Sequence, residues 1–341
     1  MALDYTGKVK VRGAQIAEIG LELLYKDNSI AKGIVKVNSN TKHGVVKTET
    51  SNDITEQAYT GQALTSDGNF TLFDYQVDHV KGEFKVDILE DTLRDTPFGD
   101  DMSAGAANID SPRFMQLAAD QLGAKMAYKN QVQRWQGVTA ATKAAIAALT
   151  PNAAQGSITA AMQTKIAALP TTLRDGFLAR TVYNNFNATT TAGLGTYIKV
   201  PGVTITESNI ASQYANIFKA IPVVQRDDME NPFVLNAPLS HKGLILIANN
   251  TVGAAQQVNF LVTPTGDISY NGIEINFVQI PEGVVMGAPK GSFEFNTDLE
   301  SDDNSMEVGE KENDSDVKFF RGITAWSTHV SRQEFNVLYG G

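Results

Sequence analysis

Apolar residues recur with a helical period in some stretches of this chain and alternate with polar ones in others. Phe114, Leu117, Ala118, Leu122, Met126, Val132 and Trp135 form a partial stripe that predicts one long helix from Ser111 to Gly137. Ser111 is a good N-cap and Pro112 suits a first helical turn. At 1.5 Å per residue, about twenty-six residues reach roughly 39 Å. A shorter amphipathic helix is expected over Ala14–Tyr25, with Ile16, Ile19, Leu23 and Leu24 on one face. A third has Ile210, Tyr214, Ile217, Phe218 and Ile221 on its face and stops at Pro222. Ser240–Ala248 predicts a fourth. Strands are expected at Phe233–Asn236, Asn271–Val278 and Val284–Met286. Alternation at Phe293 and Phe295, at Val317 and Phe319, and at Phe335, Val337 and Tyr339 predicts three more that end the chain, the first two joined by an acidic connection.

Two stretches break this pattern. Residues 35–83 are rich in Thr, Ser, Asn and Asp, with Val35, Val37, Val45, Val46 and Tyr59 scattered between. Strand-like pieces exist there without the apolar content for a core of their own, and so long an excursion calls for a functional reason. Residues 138–170 hold two similar Ala-rich runs, Thr142–Pro151 and Thr164–Pro170, each ending before a proline. They predict an inserted helical hairpin, with a low-complexity linker as the alternative. Being short of large apolar residues, it is expected to bury little of the main core and to be dispensable for folding.

Composition narrows the function. The chain has 341 residues, 42 % hydrophobic and 19 % charged, with a net charge of −10. Low charge fits extensive subunit contact, since interface cores are depleted in charge. An acidic chain is a poor general binder of nucleic acid, whose affinity comes from phosphate neutralisation. The acid is concentrated. Nine carboxylates lie between Asp298 and Asp316 against Lys311 alone, which predicts a solvated loop held open by self-repulsion. With no cysteine, disulfides, thiolate metal sites and thiol nucleophiles are excluded. No apolar run approaches the roughly 18 residues of a membrane span, and the N-terminus lacks the apolar region of a signal peptide.

No catalytic constellation is legible. His43, His79, His241 and His329 have no helical metal-site spacing and are expected on the surface or in loops. Asp100–Asp101, Asp227–Asp228 and Asp302–Asp303 are sequence neighbours, which rarely face each other across a substrate. The acidic run lacks the glycine of a calcium-binding EF-hand loop. Gly193-Leu194-Gly195 lacks the third glycine of a dinucleotide fingerprint. No residue is expected to be catalytic, to bind a cofactor or to ligate a metal.

Several short motifs, taken in order, resemble the major capsid proteins of tailed bacteriophages with the Hong Kong ninety-seven-like fold. They are Gly61–Thr65 with Tyr75–Val80, then Asp91-Thr92-Leu93, then Trp135-Gln136-Gly137, the last as in relatives from Bacteroidetes phages. Asp175-Gly176-Phe177, Thr206–Ile210 and Ala220-Ile221-Pro222 follow. Thr297-Asp298-Leu299, Asp316–Phe319 and Val337–Gly340 close the series. The resemblance covers about residues 35–137 and 175–341.

The resemblance implies an α+β capsid fold. Its parts would be an N-terminal arm at 1–34, an extended β-loop at 35–83 lying over the adjacent subunit, and a peripheral domain at 84–137 with spine helix 111–137. The hairpin at 138–170, an axial domain at 171–290 and C-terminal strands at 291–341 returning to the peripheral domain complete it. It implies a structural protein of the virion, assembled in the host cytoplasm into an icosahedral or prolate head. Its partners would be itself, in hexamers and pentamers, with portal, scaffolding and decoration proteins; it would enclose double-stranded DNA without reading its sequence. An encapsulin-like nanocompartment shell is the alternative with the same fold. An enzyme would need a catalytic constellation, and a tail or adhesin module would show repeats or all-β patterning.

Overall fold

The computed structural model describes residues 28–39, 41, 45–54, 68–89, 112–151, 158–183, 197–251, 260–297, 306–311 and 314–340. In chain order the elements are α1 (Asn28–Ala31), β1 (Val35–Asn38), β2 (Val45–Ile54), β3 (Gly68–Val77), β4 (Val80–Leu89) and the long helix α2 (Pro112–Gln136). Next come α3 (Ala140–Ala147), α4 (Ala160–Ala168), α5 (Phe177–Val182), β5 (Ile198–Pro201), α6 (Ile210–Ala220), α7 (Val223–Arg226), β6 (Phe233–Pro238) and α8 (Leu239–Thr251). The rest are β7 (Phe260–Val262), β8 (Ile268–Tyr270), β9 (Ile273–Val278), β10 (Val284–Pro289), β11 (Phe293–Thr297), β12 (Met306–Lys311), β13 (Asp314–Val330) and β14 (Val337–Gly340). The helix expected over Ala14–Tyr25 lies outside the described residues.

These strands make three sheets. A five-stranded sheet runs β1-β11-β13-β12, with β4 also paired to β13. A seven-stranded mixed sheet runs β5-β14-β10-β6-β9-β8-β7. Strands β2 and β3 form a separate antiparallel ribbon, from Val45 opposite Val77 to Ile54 opposite Gly68. The closing strand β14 does not join β11, β12 and β13. It inserts between β10 and β5 in the seven-stranded sheet.

Two cores result, one on each face of the seven-stranded sheet. Along β10, Val284, Met286 and Ala288 enter the first core and Val285 the second. Along β14, Leu338 enters the first, and Val337 and Tyr339 the second. Alternate residues of a strand point to opposite faces, so both faces are covered here and β6, β10 and β14 are buried throughout. The second core is closed by α6 and α8. Tyr214 stands edge-on to Phe260, and Tyr270 edge-on to both Phe218 and Phe260. The first core centres on Trp135 at the end of α2, edge-on to Phe177 and Phe293.

The hairpin corrects an expectation. Its two helices form as read, each capped by a threonine: Thr139 Oγ1 accepts from the Thr142 amide, and Thr159 Oγ1 from the Met162 amide. It is no peripheral appendage, however. Val138, Ile146, Ile158, Met162 and Ile166 are all buried in the first core. Alanine-rich helices still present one side chain per turn, and here those few are Ile and Met aimed inward. Polar contacts seal the joint. The buried Asp175 carboxylate accepts from the Thr139 amide and the Thr142 hydroxyl, both at 2.7 Å. Lys143 Nζ donates to Leu169 O at 2.7 Å.

The acidic connection is corrected in part. Residues 298–305 lie outside the described residues, but Met306–Lys311 is strand β12, paired antiparallel to β13. Alternation of Met306 and Val308 with Glu307 suits a strand, and backbone pairing to the long β13 outweighs the charge repulsion that suggested an open loop.

Candidate assembly site

The ribbon stands apart from the two larger sheets. Among the described residues, β2 and β3 pair only with each other. Its root, however, is held firmly. Strand β1 pairs in parallel with β11, which places Val35 in the first core and Asn38 beside Asn296. At the other end of the excursion, β4 pairs with β13 from Leu89 opposite Val317 to Val80 opposite Trp326. Thus the segment leaves the five-stranded sheet from one strand and returns to it on another.

Glu294 is the hub of the root. It belongs to β11, and its carboxylate accepts from Tyr75 Oη at 3.0 Å and from Asn38 Nδ2 at 2.9 Å. Lys47 Nζ lies 3.8 Å from the same carboxylate and donates to Asn296 Oδ1 at 2.9 Å. Burial pulls the Lys47 amine below its ordinary value, and the Glu294 charge opposes that. The Tyr75 ring stacks on His329 at 3.6 Å, across the strand pair from Glu294. His79 shares its Nε2 with Thr41 O at 2.6 Å. Arg180 lies half-buried beside this cluster. Burial lowers its pKa, countered by the charges of Asp175 and Asp78. Tyr75, Glu294, Asn296 and His329 are buried, so removing a partner of one of them leaves a buried polar group unsatisfied, and the network fixes how the ribbon leaves the body. The concavity lined by Tyr75, Asp78, Arg180, Asn296 and His329 has room for about one water molecule.

The expectation that the histidines lie on the surface or in loops is overturned for His241, on α8, and His329, on β13, whereas His79 does lie in the loop between β3 and β4. His79, His241 and His329 are all buried. No spacing rule could find this, because each is brought inside by a strand pairing or helix packing distant in sequence. His241, on α8, meets Tyr214 Oη through Nδ1 at 3.1 Å. Burial lowers its pKa from 6.5 to about 4. The unfolded chain therefore takes up this proton first as pH falls. Stability from the neutral, buried ring is complete above pH 6.5 and is lost between there and pH 4. Between pH 7 and pH 5, denaturant midpoints should fall by an amount worth about 2 kcal/mol, and most of that dependence should vanish in His241→Gln. A wild-type midpoint unchanged over that range would show that His241 takes up its proton as readily in the folded protein as in the unfolded chain.

The other candidates stay apart. Asp228 caps its own turn, accepting from the amides of Glu230 and Asn231. His43, Asp100, Asp101, Gly193–Gly195, Asp302 and Asp303 fall outside the described residues. Among the described residues, no cluster of histidine and carboxylate side chains could hold a metal ion, and no helix is long and apolar enough to cross a membrane.

No known family model matches the chain, and no curated protein sequence does. Solved structures do. The chain is similar in fold to the capsid of an empty GTA particle, with 10 % identity, 100 % of this chain and 96 % of that one covered, and a TM-score of 0.52. It is likewise similar to a chain of the satellite phage P4 procapsid, with 10 % identity, coverage of 95 % and 98 %, and a TM-score of 0.50. The chain shares the fold of these capsid chains. The Hong Kong ninety-seven-like α+β fold implied by the sequence motifs is therefore the fold it adopts.

Proposed function

We propose that this chain is the major capsid protein of a tailed bacteriophage, a structural protein that assembles with copies of itself into the closed head around double-stranded DNA. The observation that carries this reading is the likeness of fold over essentially the whole chain to shell proteins of phage-type particles. The ribbon supports it. Among the described residues its twenty paired residues have no third strand, and a two-stranded ribbon, marginal alone, gains stability by lying on another surface. In this reading the ribbon is the extended loop, α2 the spine helix, and the seven-stranded sheet with α6 and α8 the axial domain at the capsomer centre. The protein works by geometry and not by catalysis. Portal, scaffolding and decoration proteins are its further partners, and the host cytoplasm is where it assembles. No observation favours the encapsulin-like alternative over the phage head.

The purified protein, alone or with scaffold, should form capsomer rings or closed shells visible by electron microscopy. The ribbon should be cut more slowly by protease in shells than in free subunits. A compact monomer under all assembly conditions would overturn the proposal, and equal cutting rates would remove the intersubunit role of the ribbon.

A further inference from the structure

Strand β14 is the last described strand in chain order, yet it lies inside the seven-stranded sheet, between β5 and β10. It pairs antiparallel with β10, from Val284 opposite Gly340 to Gly287 opposite Val337. On its other edge it pairs in parallel with β5, from Ile198 opposite Val337 to Pro201 opposite Gly340. The two neighbours differ in their other support. Strand β10 also pairs with β6, which pairs in turn with β9. Among the described residues, β5 pairs with β14 alone. Were β14 to leave, β6–β10 would stay joined, whereas β5 would lose its place in the sheet.

Further contacts bind β5 and β14 into one piece. The Ile198 amide donates to Asn336 O at 2.7 Å. Tyr339 Oη donates to Val203 O at 2.7 Å and accepts from the Val203 amide at 3.1 Å, with Gln213 Oε1 of α6 also 2.9 Å away. The chain reaches β14 from β13 through a short strap, Ser331–Asn336. Its start is pinned, the Ser331 amide donating to Ser292 O at 2.8 Å. Arg332 follows at φ 49°, a left-handed conformation that costs a residue with a Cβ. A single 3-10 turn at Gln333–Phe335 comes next, where Gln333 Nε2 donates to Arg180 O at 3.1 Å. Release of the strap relieves the strain at Arg332. Burial opposes release. Leu338 sits in the first core and Val337 and Tyr339 in the second, so departure of β14 uncovers both cores in one cooperative event.

We propose that β14 and β5 form a strap that opens and closes as one unit, short of global unfolding, while β6–β10 remain paired. The seven-stranded sheet is then a five-stranded sheet with a two-stranded closure. Opening lays bare the β10 edge, whose free backbone groups suit an added extended strand. The proposal concerns the single subunit and does not depend on the assembly reading.

Native-state hydrogen exchange on the unassembled full chain, in denaturant below its unfolding transition, tests this. Amides of β5 and β14 should exchange with one common dependence on denaturant. Amides of β6 and β9 should be slower and exchange only through global unfolding. Two substitutions separate the strap from a general loosening. Tyr339→Phe removes contacts that are lost in both kinds of opening, so exchange should quicken roughly two- to tenfold in all four strands. Ile268→Val trims a buried side chain on β8, in the part that stays paired when the strap opens. It should quicken exchange in β6 and β9 by roughly two- to tenfold and leave β5 and β14 unchanged. Exchange of β5 well ahead of β14, as in an edge strand that frays alone, would overturn the proposal. So would one shared dependence for all four strands, or a response of β5 and β14 to Ile268→Val.

Discussion

Deleting residues 140–168 and rejoining the flanking chain should give a protein that no longer folds to a soluble state. The deleted segment supplies Ile146, Ile158, Met162 and Ile166 to the core that also holds Trp135, Phe177 and Phe293. Full burial of each such side chain is worth about 1.5–3 kcal/mol, or about 6–12 kcal/mol together. That is comparable with the whole stability of a typical domain, about 5–15 kcal/mol. The deletion also strips the Thr142 hydroxyl from the buried Asp175 carboxylate and uncovers Gly340, against which Met162 packs. Ile166→Ala is the graded version, with an expected loss of about 2–5 kcal/mol. Soluble yield and thermal melting of both variants decide it. A soluble deletion variant that melts like wild type would return the hairpin to the periphery.

Gly176→Ala should destabilise the protein by about 3 kcal/mol or more, at the upper end for overpacking. Gly176 lies where the start of α5 meets the end of α2. A Cβ there would fall 2.5 Å from Gln133 O, 2.7 Å from Arg134 O and 2.7 Å from the Gly137 amide nitrogen. These are backbone atoms and cannot swing aside. The two glycines are also joined directly, the Gly176 amide donating to Gly137 O at 2.8 Å. Gly243→Ala is the matched control. Its Cβ meets nothing, and alanine in a helix interior gains about 1 kcal/mol over glycine. Denaturant midpoints of unassembled subunits should therefore move in opposite directions. Equal midpoints for Gly176→Ala and wild type would mean that the two helices separate at no cost.

This contact gives a physical reason for two of the motifs that the sequence made conspicuous. Trp135-Gln136-Gly137 and Asp175-Gly176-Phe177 are far apart in the chain and form one joint. Trp135 stands edge-on to Phe177, the glycines let the backbones touch, and Asp175 ties down the hairpin between them. Local patterning could mark each piece but not their meeting.

What the sequence determined by itself is the set of elements whose period is strong. The long helix through Trp135, the Ile210–Ala220 helix stopped by Pro222, the buried β6 and strands β11 and β13 form where apolar spacing put them; the closing strand starts only at Val337, because Phe335, expected within it, lies in a 3-10 turn over Gln333–Phe335. The order of short motifs also led to the fold, which likeness to solved capsid structures then bore out. Tertiary structure decided what depends on partners distant in the chain. Ile146 and Ile166 look minor in an alanine-rich run and become part of the core that also holds Trp135 and Phe293. Glu307 and Glu310 read as loop, yet the backbone there is strand because β13 offers it an edge. His79, His241 and His329 look like surface residues and are buried by strand pairing and helix packing. The closing strand could have ended beside β13. It lies between β10 and β5 because its alternate side chains, Val337 and Tyr339 against Leu338, fill two different cores at once.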